Sequence, residues 1–308
     1  YFSKAVTVLL TVTVDDFAIF TNSTDWLKTF KTEFHSIYAI TQEPDFSWFL
    51  GIRLQWNKDF TKVKLDQPND IRKALIRFNV QDAKPTKTPM ASDFDSEPAP
   101  KDNVNPDFPY AALIGVLLWI TRMTRPDIQL AVTLLASHMS NFTEYHIKAG
   151  KRVLAYLKGT SELGIHINKT DGFDPTQSNF EIYSDSDWAR DKIKRRSVTG
   201  YIGYFLGNPI VYRVCYQPTI ALSSCEAEYM AMTDAAKEVL FFKNFFEELS
   251  PHIKLKLPIT LHVDNIAAIS LGTTLVMNKR TKHIDIRYHF LRELHDQGII
   301  LPTKIHTD

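Results

Sequence analysis

The stretch that decides the fold is YSDSDWARDKIKRRSVTGY, from Tyr183 to Tyr201. It follows directly on a short apolar run, FEIY, which predicts a β-strand. Two acids, Asp185 and Asp187, stand where that strand ends, and five basic residues follow within about ten positions: Arg190, Lys192, Lys194, Arg195 and Arg196. Two interpretations are open at this point. Either the acids hold a metal over a polyanion, or the segment is a solvated loop of alternating charges.

Composition limits the classes of function. The chain has 308 residues, 44% of them hydrophobic and 23% charged, which is ordinary for a globular protein of two or three domains. The formal net charge is only +1, so a polyanion would have to be bound by local basic patches. Two such patches lie in 141–160 and 279–292, whereas 91–107 is acidic. Two cysteines, Cys215 and Cys225, exclude a framework of several disulfides and a cysteine-rich zinc site.

The ends of the chain and its longest apolar runs give a further expectation. The N-terminal sequence resembles no signal peptide, and it lacks an initiator Met, so we expect a piece of a longer chain. No apolar run reaches about 18 residues, so we expect no membrane span.

In the first half, hydrophobic periodicity predicts two hairpins and several helices. The first hairpin has the strands Ala5–Val14 and Phe17–Thr21 with Asp15-Asp16 as its turn, and WFLGIRLQW with KVKL predicts the second. Ser23 or Thr24 caps a helix that ends near Ser36. Further helices are expected over Asn69–Phe78, Tyr110–Thr121, Pro126–Ser140 and Glu144–Leu157. Residues 83–109 are rich in proline and acids without an apolar period, which is typical of a linker.

From residue 163 the pattern changes to strands. GIHI, FEIY, TGYIGYFL and IVYRV come in succession, and a long helix then begins at Ser223, where Ser223 and Glu226 match a capping box. ITLHVD, two helices and GIILPTKI complete the chain. This order of elements predicts an α/β or α+β fold.

Three acids of the second half stand at positions from which they can converge. Asp185 and Asp264 each end a predicted strand, and Glu228 lies on the core face of the long helix. Glu226, two positions earlier, points nearly the opposite way and is free to cap the helix. Taken alone, each acid is more often a surface or capping residue. Three clustered carboxylates, however, repel one another unless a cation lies between them, and Mg²⁺ suits a site made of oxygen ligands.

The motifs of this half occur together in a known family. YSDSDWARDKIKRRSVTGYIGYFLG, IALSSCEAEYMAM, LHVDNIAAI and RTKHIDIRYHFLRE resemble the ribonuclease H domain of copia-type LTR-retrotransposon polyproteins. The upstream segments VDDFAIFT, FLGIRLQW, LIGVLLWITRMTRPDIQLAV and HIKAGKRVLAYLKGT are similar to the reverse transcriptase of the same polyproteins. The resemblance covers nearly the whole chain in the same order, which is far more specific than any single motif.

The resemblance implies machinery for RNA-directed DNA synthesis that also hydrolyses RNA in RNA–DNA hybrids by two-metal catalysis. Asp185, Glu228 and Asp264 match three of the four metal-binding acids of that ribonuclease H, with Mg²⁺ as the cofactor and Mn²⁺ as a substitute. Asp15 and Asp16 match the catalytic, metal-binding acid pair of a polymerase palm. Without the family, the same pair is an ordinary turn sequence.

The partners implied by the resemblance are an RNA–DNA hybrid, an RNA template and the remainder of the polyprotein. The residues expected to bind nucleic acid are basic: Lys148, Lys151, Arg152, Lys192, Lys194, Arg195, Arg196 and Lys282. The alternative for the lysines of 148–158 is that they are simply solvated. The family also implies an intracellular location, in cytoplasmic particles or the nucleus.

Three departures from the family pattern bear on activity. The chain begins after the place of the first palm acid, and it ends at Asp308, before the fourth acid of the ribonuclease H. Thr13 also stands where the family has a tyrosine. We therefore do not expect polymerisation. The alternative to an active ribonuclease is a decayed or domesticated fragment that only binds nucleic acid.

The expected architecture has four parts. Residues 1–82 form the C-terminal palm and the start of the thumb of a reverse transcriptase, and 83–109 form the linker. Residues 110–162 form a helical connection. Residues 163–308 form a C-terminally truncated, ribonuclease H-like domain with a mixed sheet and flanking helices.

Overall fold

The computed structural model describes residues 6–41, 45–92, 94, 107–191, 194–249, 253–273 and 282–305, with the backbone alone at 273 and over 282–288. The strands are β1 Val8–Thr13, β2 Asp16–Thr21, β3 Trp48–Phe49, β4 Ile52–Trp56, β5 Lys62–Asp66, β6 Ile165–Asn168, β7 Phe180–Asp187, β8 Val198–Phe205, β9 Asn208–Tyr216, β10 Ile259–Val263 and β11 Ile300–Lys304. The helices are α1 Thr24–Ile37, α2 Pro68–Arg77, α3 Tyr110–Met123, α4 Gln129–Ala136, α5 Glu144–Gly159, α6 Ser224–Leu249, α7 Ile266–Thr273 and α8 Lys282–Asp296. Within these ranges, no helix combines the length and apolarity that a membrane crossing requires.

The first hairpin forms with its turn one residue earlier than predicted. β1 and β2 pair antiparallel, with Thr13 opposite Asp16, so the turn residues are Val14 and Asp15 rather than Asp15 and Asp16. Val14 has a φ of 56°, the positive value that tight hairpin turns require at their first central position. Asp15 and Asp16 are both exposed at the tip. Ser23 Oγ then accepts a hydrogen bond from the Trp26 N–H (3.2 Å) and begins α1 as predicted.

The second sheet has the order β3-β4-β5-β6 and takes strands from both halves of the chain. β6 follows residue 163, where the nuclease-like part was predicted to start, yet it pairs antiparallel with β5, placing Ile165 opposite Leu65. A buried carboxylate supports the sheet, since Asp66 accepts hydrogen bonds from Arg53 Nε and Nη2 at 2.7 and 2.8 Å. The division of the chain into four functional parts stays a prediction.

Helices α2 to α5 share one apolar core, and one expectation about this region needs correction. The predicted helix Pro126–Ser140 is shorter, because Pro126–Ile128 form a 3₁₀ turn before α4 begins at Gln129. Part of the predicted linker packs on this core, since Phe94 is buried and stacks on Tyr145 at 5.3 Å between ring centroids. Lys158 Nζ donates to the Ala83 carbonyl (2.9 Å), which ties the same segment to α5.

The five-stranded sheet has the order β11-β10-β7-β8-β9. β10 runs parallel to β7 and β11, whereas β7, β8 and β9 are mutually antiparallel. Buried residues of β7 alternate with outward-facing ones, and α6 packs on the buried face through Tyr229, Ala235 and Val239, each 0% exposed. This mixed sheet with flanking helices confirms the predicted ribonuclease H-like α/β fold.

The helical part docks on the outer strand of this sheet. Thr133 Oγ1 donates to the Val214 carbonyl (3.1 Å), and the Tyr212 hydroxyl donates to the Arg122 carbonyl (2.9 Å). These bonds place α4 and the end of α3 beside β9.

A histidine is buried in the first turn of α5. His146 Nδ1 accepts a hydrogen bond from the Thr143 N–H (3.1 Å), which completes one half of a capping box. The ring is 0% exposed, lies 4.2 Å from the His138 ring between centroids, and its Nε2 has no hydrogen-bond partner among the described residues. Burial, followed by the neighbouring His138, lowers the pKa of His146 to about 4.

This histidine should make stability depend on pH. Below about pH 6.5 the unfolded chain protonates His146 and the folded chain does not, so stability falls as the pH drops toward 4, by up to about 3 kcal/mol. His146→Gln keeps a capping acceptor but cannot titrate. We measure the free energy of unfolding in urea at pH 7 and at pH 4.5. Between these two values, we expect that of the parent to fall by about 1 kcal/mol or more beyond the fall in the variant. Equal losses in the two proteins would contradict this account.

Candidate metal centre

Strand register brings two acids to one edge of the five-stranded sheet. In the parallel pair, Tyr183 of β7 lies opposite His262 of β10. Asp185 and Asp264 each follow two residues later, so the same register carries both to the same edge and the same face. Asp185 lies opposite Gly200 of β8, and an added Cβ at Gly200 would meet no atom within 4 Å, so the space beside this acid is open.

The third acid comes from the start of α6. Ser223 Oγ accepts a hydrogen bond from the Glu226 N–H (3.1 Å), and Glu226 Oε2 accepts one from the Leu222 N–H (2.8 Å). Glu226 therefore caps the helix, as predicted. Glu228, two residues on, points to β7 instead, where Oε1 accepts hydrogen bonds from the Ser186 N–H (3.1 Å) and hydroxyl (2.7 Å).

The three acids form one cluster. Asp185, Glu228 and Asp264 each offer a carboxylate oxygen, and these oxygens all lie within 4.8 Å of one another. Glu228 is buried, whereas Asp185 and Asp264 are exposed. Burial, followed in effect by the charges of Asp185 and Asp264, raises the pKa of Glu228 to about 7. Desolvation, together with the charges of Asp264 and Asp187, also raises the pKa of Asp185.

The cluster has the chemistry of a divalent-cation site. Ser186 holds one oxygen of Glu228, and the other, Oε2, is buried without a hydrogen-bond partner in the part of the chain that the structure describes. A buried polar atom in this state costs free energy unless something else binds it. A hard cation would bind this oxygen together with Asp185 and Asp264 and offset the repulsion among the three charges. The donors present therefore fit such a cation.

A cleft of about 440 Å³ opens beside the cluster. Asp185 and Asp264 lie in its wall together with aromatic and apolar side chains of the sheet, and Pro126 and Gln129 close it from the helical side. The cluster is thus reached from solvent along the face of the sheet that α6 does not cover.

Asp187 does not join the cluster. Its carboxylate accepts a hydrogen bond from Arg190 Nη1 at 3.2 Å, an exposed ion pair within the loop. The two acids of the opening stretch therefore differ: Asp185 belongs to the three-carboxylate cluster, whereas Asp187 pairs with Arg190 in the loop.

The structure places the basic residues in different surroundings. Lys148, Lys194 and Arg195 are exposed. Arg196 is half-buried, and its Nε donates to the Gln217 carbonyl at 2.6 Å. Lys151 lies over the Phe108 ring, and Arg152 donates a hydrogen bond to Thr88. Lys192 lies outside the described residues, and Lys282 is described in its backbone alone. Their binding of nucleic acid stays a prediction.

Sequence reasoning missed Ser186. The alternation of β7 places Ser186 on the same face as Phe180, Ile182 and Ser184, toward α6, and this signal was available in the sequence. The sequence did not indicate which side chain of α6 Ser186 contacts, because that depends on how the helix crosses the strand.

The fold and the cluster define a ribonuclease H-like α/β protein with a three-carboxylate centre, and comparison with known proteins identifies its family. The chain is 32% identical over 314 residues to the retrovirus-related Pol polyprotein from transposon TNT 1-94 of Nicotiana tabacum, covering 100% of this chain and 23% of that protein. It is also 32% identical over 306 residues to the Pol polyprotein from transposon RE1 of Arabidopsis thaliana, covering 97% of this chain and 20% of that protein. The chain belongs to the copia-type retrotransposon Pol polyproteins and corresponds to their reverse transcriptase and ribonuclease H region, which confirms the predicted family.

Further comparisons give the extent of these matches. The chain spans about a fifth to a quarter of the length of the Pol polyproteins it matches. An uncharacterized mitochondrial protein of Arabidopsis thaliana is 30% identical over 226 residues, which are 73% of this chain and 90% of that protein. The solved structure of LC11-RNase H1, isolated from compost, has a TM-score of 0.32 and 12% identity over 41% of this chain and 84% of its own. The chain matches no protein-family model.

The charge of Glu228 should destabilise the protein until a cation binds. The pKa of Glu228, about 7, lies above the ordinary value of 4.5 that applies in the unfolded chain. The free energy of unfolding therefore falls as the pH rises from 4.5 to about 7, by up to about 3 kcal/mol. At pH 8 without divalent ions, we expect Glu228→Gln to unfold at a higher urea concentration than the parent. We also expect Mg²⁺ to stabilise the parent but not this variant. Glu226→Gln is the matched control, because it keeps the cap and should keep the response to Mg²⁺. A full response in Glu228→Gln would contradict the site.

Proposed function

We propose that the centre of Asp185, Glu228 and Asp264 hydrolyses the RNA strand of RNA–DNA hybrids with Mg²⁺, for which Mn²⁺ can substitute. The observation that carries this proposal is the convergence of the three carboxylates around the unpartnered, buried Oε2 of Glu228. Membership of the Pol family supports the substrate class. The remainder of such a polyprotein is the proposed larger context of the chain.

The protein groups have distinct roles in this proposal. When bound, a pair of divalent cations would stabilise the attacking and leaving oxygens of an in-line displacement at phosphorus. Glu228 forms the inner side of the site, where Ser186 fixes its orientation. Asp185 and Asp264 form the solvent side, where an approaching phosphate and the cations meet. Mutual repulsion of the three charges makes the empty centre unfavourable and so favours cation binding.

The hairpin acids support no second catalytic proposal. Asp15 and Asp16 lie at an exposed tip, and the described residues place no third His, Cys, Asp or Glu near them with metal-ligand spacing. Their catalytic and metal-binding roles in a polymerase palm, and the binding of an RNA template, stay predictions about the longer polyprotein.

The test is cleavage of an end-labelled RNA–DNA hybrid in Mg²⁺ and in Mn²⁺. We expect the parent chain to shorten the RNA strand, and Asp264→Asn to lower the rate at least about 100-fold, because it removes one of three charges that hold the cations. Asp187→Asn is the matched control, since Asp187 belongs to the Arg190 ion pair, and its rate should stay within about threefold of the parent.

The competing function is hybrid binding without turnover, as in a decayed or domesticated fragment. A folded parent chain that binds the hybrid but leaves it intact in both metals would refute the proposed hydrolysis and establish this alternative. Cleavage at the parent rate in a folded Asp264→Asn variant would refute the role of Asp264 in the proposed centre.

A further inference from the structure

An exposed apolar surface stands beside the metal centre. Trp188, Ile220 and Leu222, which we name the apolar platform, have 49%, 53% and 76% of their surface exposed. Large apolar side chains grouped on a surface mark contact sites more often than scattered single ones do. None of these three side chains belongs to the carboxylate cluster or orients one of its acids.

The backbone that carries the platform is firmly held. Trp188 Nε1 donates to the Ala221 carbonyl (3.1 Å), and Ala221 is itself buried against Ala227 and Met230 of α6. The Leu222 N–H donates to Glu226 Oε2 (2.8 Å), so this side of the platform is tied to the helix cap. These bonds keep the apolar side chains directed to solvent, where they are preorganised to contact a ligand.

The platform flanks two elements that supply acids to the cluster, because Trp188 directly follows β7 and Ile220 and Leu222 shortly precede α6. Trp188 follows Asp185 by three residues at the end of β7, and Leu222 bonds to the first turn of α6, which also carries Glu228. Only a few residues of chain therefore separate Trp188 from Asp185 and Leu222 from Glu228.

Exposed cations adjoin the platform on the same loop. The segment between β7 and β8 begins with Trp188 and carries Lys194 and Arg195, both exposed. Among its described residues, the Asp191 N–H donates to the Arg196 carbonyl (3.1 Å) and the Lys194 N–H donates to Asp191 Oδ1 (2.8 Å). A partner that satisfies both features must offer anionic groups next to apolar surface.

We infer that the apolar platform packs against sugars and base edges of a bound RNA–DNA hybrid, while Lys194 and Arg195 contact its phosphates. Nucleic acid combines the two required chemistries at close spacing, and the shallow minor groove of an A-like duplex exposes sugars and base edges. Aromatic side chains bind nucleic acid through such contacts without adding charge. This inference rests on the proposed function for its substrate.

The test separates apolar from ionic contributions to affinity. Dissociation constants for a labelled hybrid are measured by fluorescence anisotropy at several salt concentrations in the Asp264→Asn background, where hybrid is not consumed. We expect Trp188→Ala to weaken binding about 10-fold and Leu222→Ala about threefold, with the salt dependence of log Kd unchanged. Arg195→Ala should instead reduce that slope by about 1.

Two further variants separate contact with the hybrid from a purely structural role. Trp188→Phe keeps an apolar ring but loses the bond to Ala221, and we expect its affinity to stay within about twofold. Phe241→Ala removes an aromatic ring that is 59% exposed, about 25 Å along α6 from its first residue, and should leave affinity unchanged.

Each failure has a distinct meaning. Parent-like affinity in a folded Trp188→Ala variant would overturn the platform, whether or not the parent cleaves the hybrid. A Trp188→Phe variant as weak as Trp188→Ala would also overturn it, because the loss would then come from the broken bond to Ala221. A parent chain that binds hybrid through Trp188 but does not cleave it would refute the hydrolysis alone. Absence of hybrid binding would refute the inference itself.

Discussion

Parallel pairing of β7 with β10 is the constraint on which the rest of the site depends. With Tyr183 opposite His262, the next outward-facing residues of the two strands are Asp185 and Asp264, and they meet at the carboxyl ends of the strands. A one-residue shift of this register would turn one of the two acids toward the buried face. The strong apolar content of that face, with Ile182, Leu261 and Val263 all 0% exposed, prevents the shift.

The three-carboxylate cluster opposes folding, and the surrounding core compensates for it. Three carboxylates within 4.8 Å repel one another, and Glu228 is buried as well. The same helix that carries Glu228 buries Tyr229, Met232 and Ala235 in the sheet core, so it cannot turn to release the carboxylate into water. The two hydrogen bonds from Ser186 lower part of this cost while leaving Oε2 free to bind a ligand. The arrangement is therefore unfavourable by itself and favourable around a cation, as expected of a functional site rather than of a structural one.

The sequence predicted what local geometry determines. Helical angles alone separated the capping Glu226 from the inward Glu228, and the capping residues were visible as short motifs. Long-range pairing was not predictable in the same way. The strand Ile165–Asn168 joins β5 because of a contact about 100 residues away, which no local pattern records. Phe94 is likewise a single apolar residue in an acidic, proline-rich segment, without a period that would indicate burial.

In the folded chain, the basic residues of the opening stretch divide into those that bond to the loop itself and those that face solvent. Arg190 pairs with Asp187, and Arg196 bonds to the Gln217 carbonyl, so these cations maintain the loop. Lys194 and Arg195 are left facing solvent on the segment whose first residue is Trp188. Because the formal net charge of the whole chain is only +1, attraction of a polyanion must be local, and this loop places cations, apolar surface and carboxylates within one short piece of chain. The cations attract phosphate, whereas the carboxylates repel it, so in the proposed hydrolysis both affinity and turnover at this edge of the sheet would depend on a bound divalent ion.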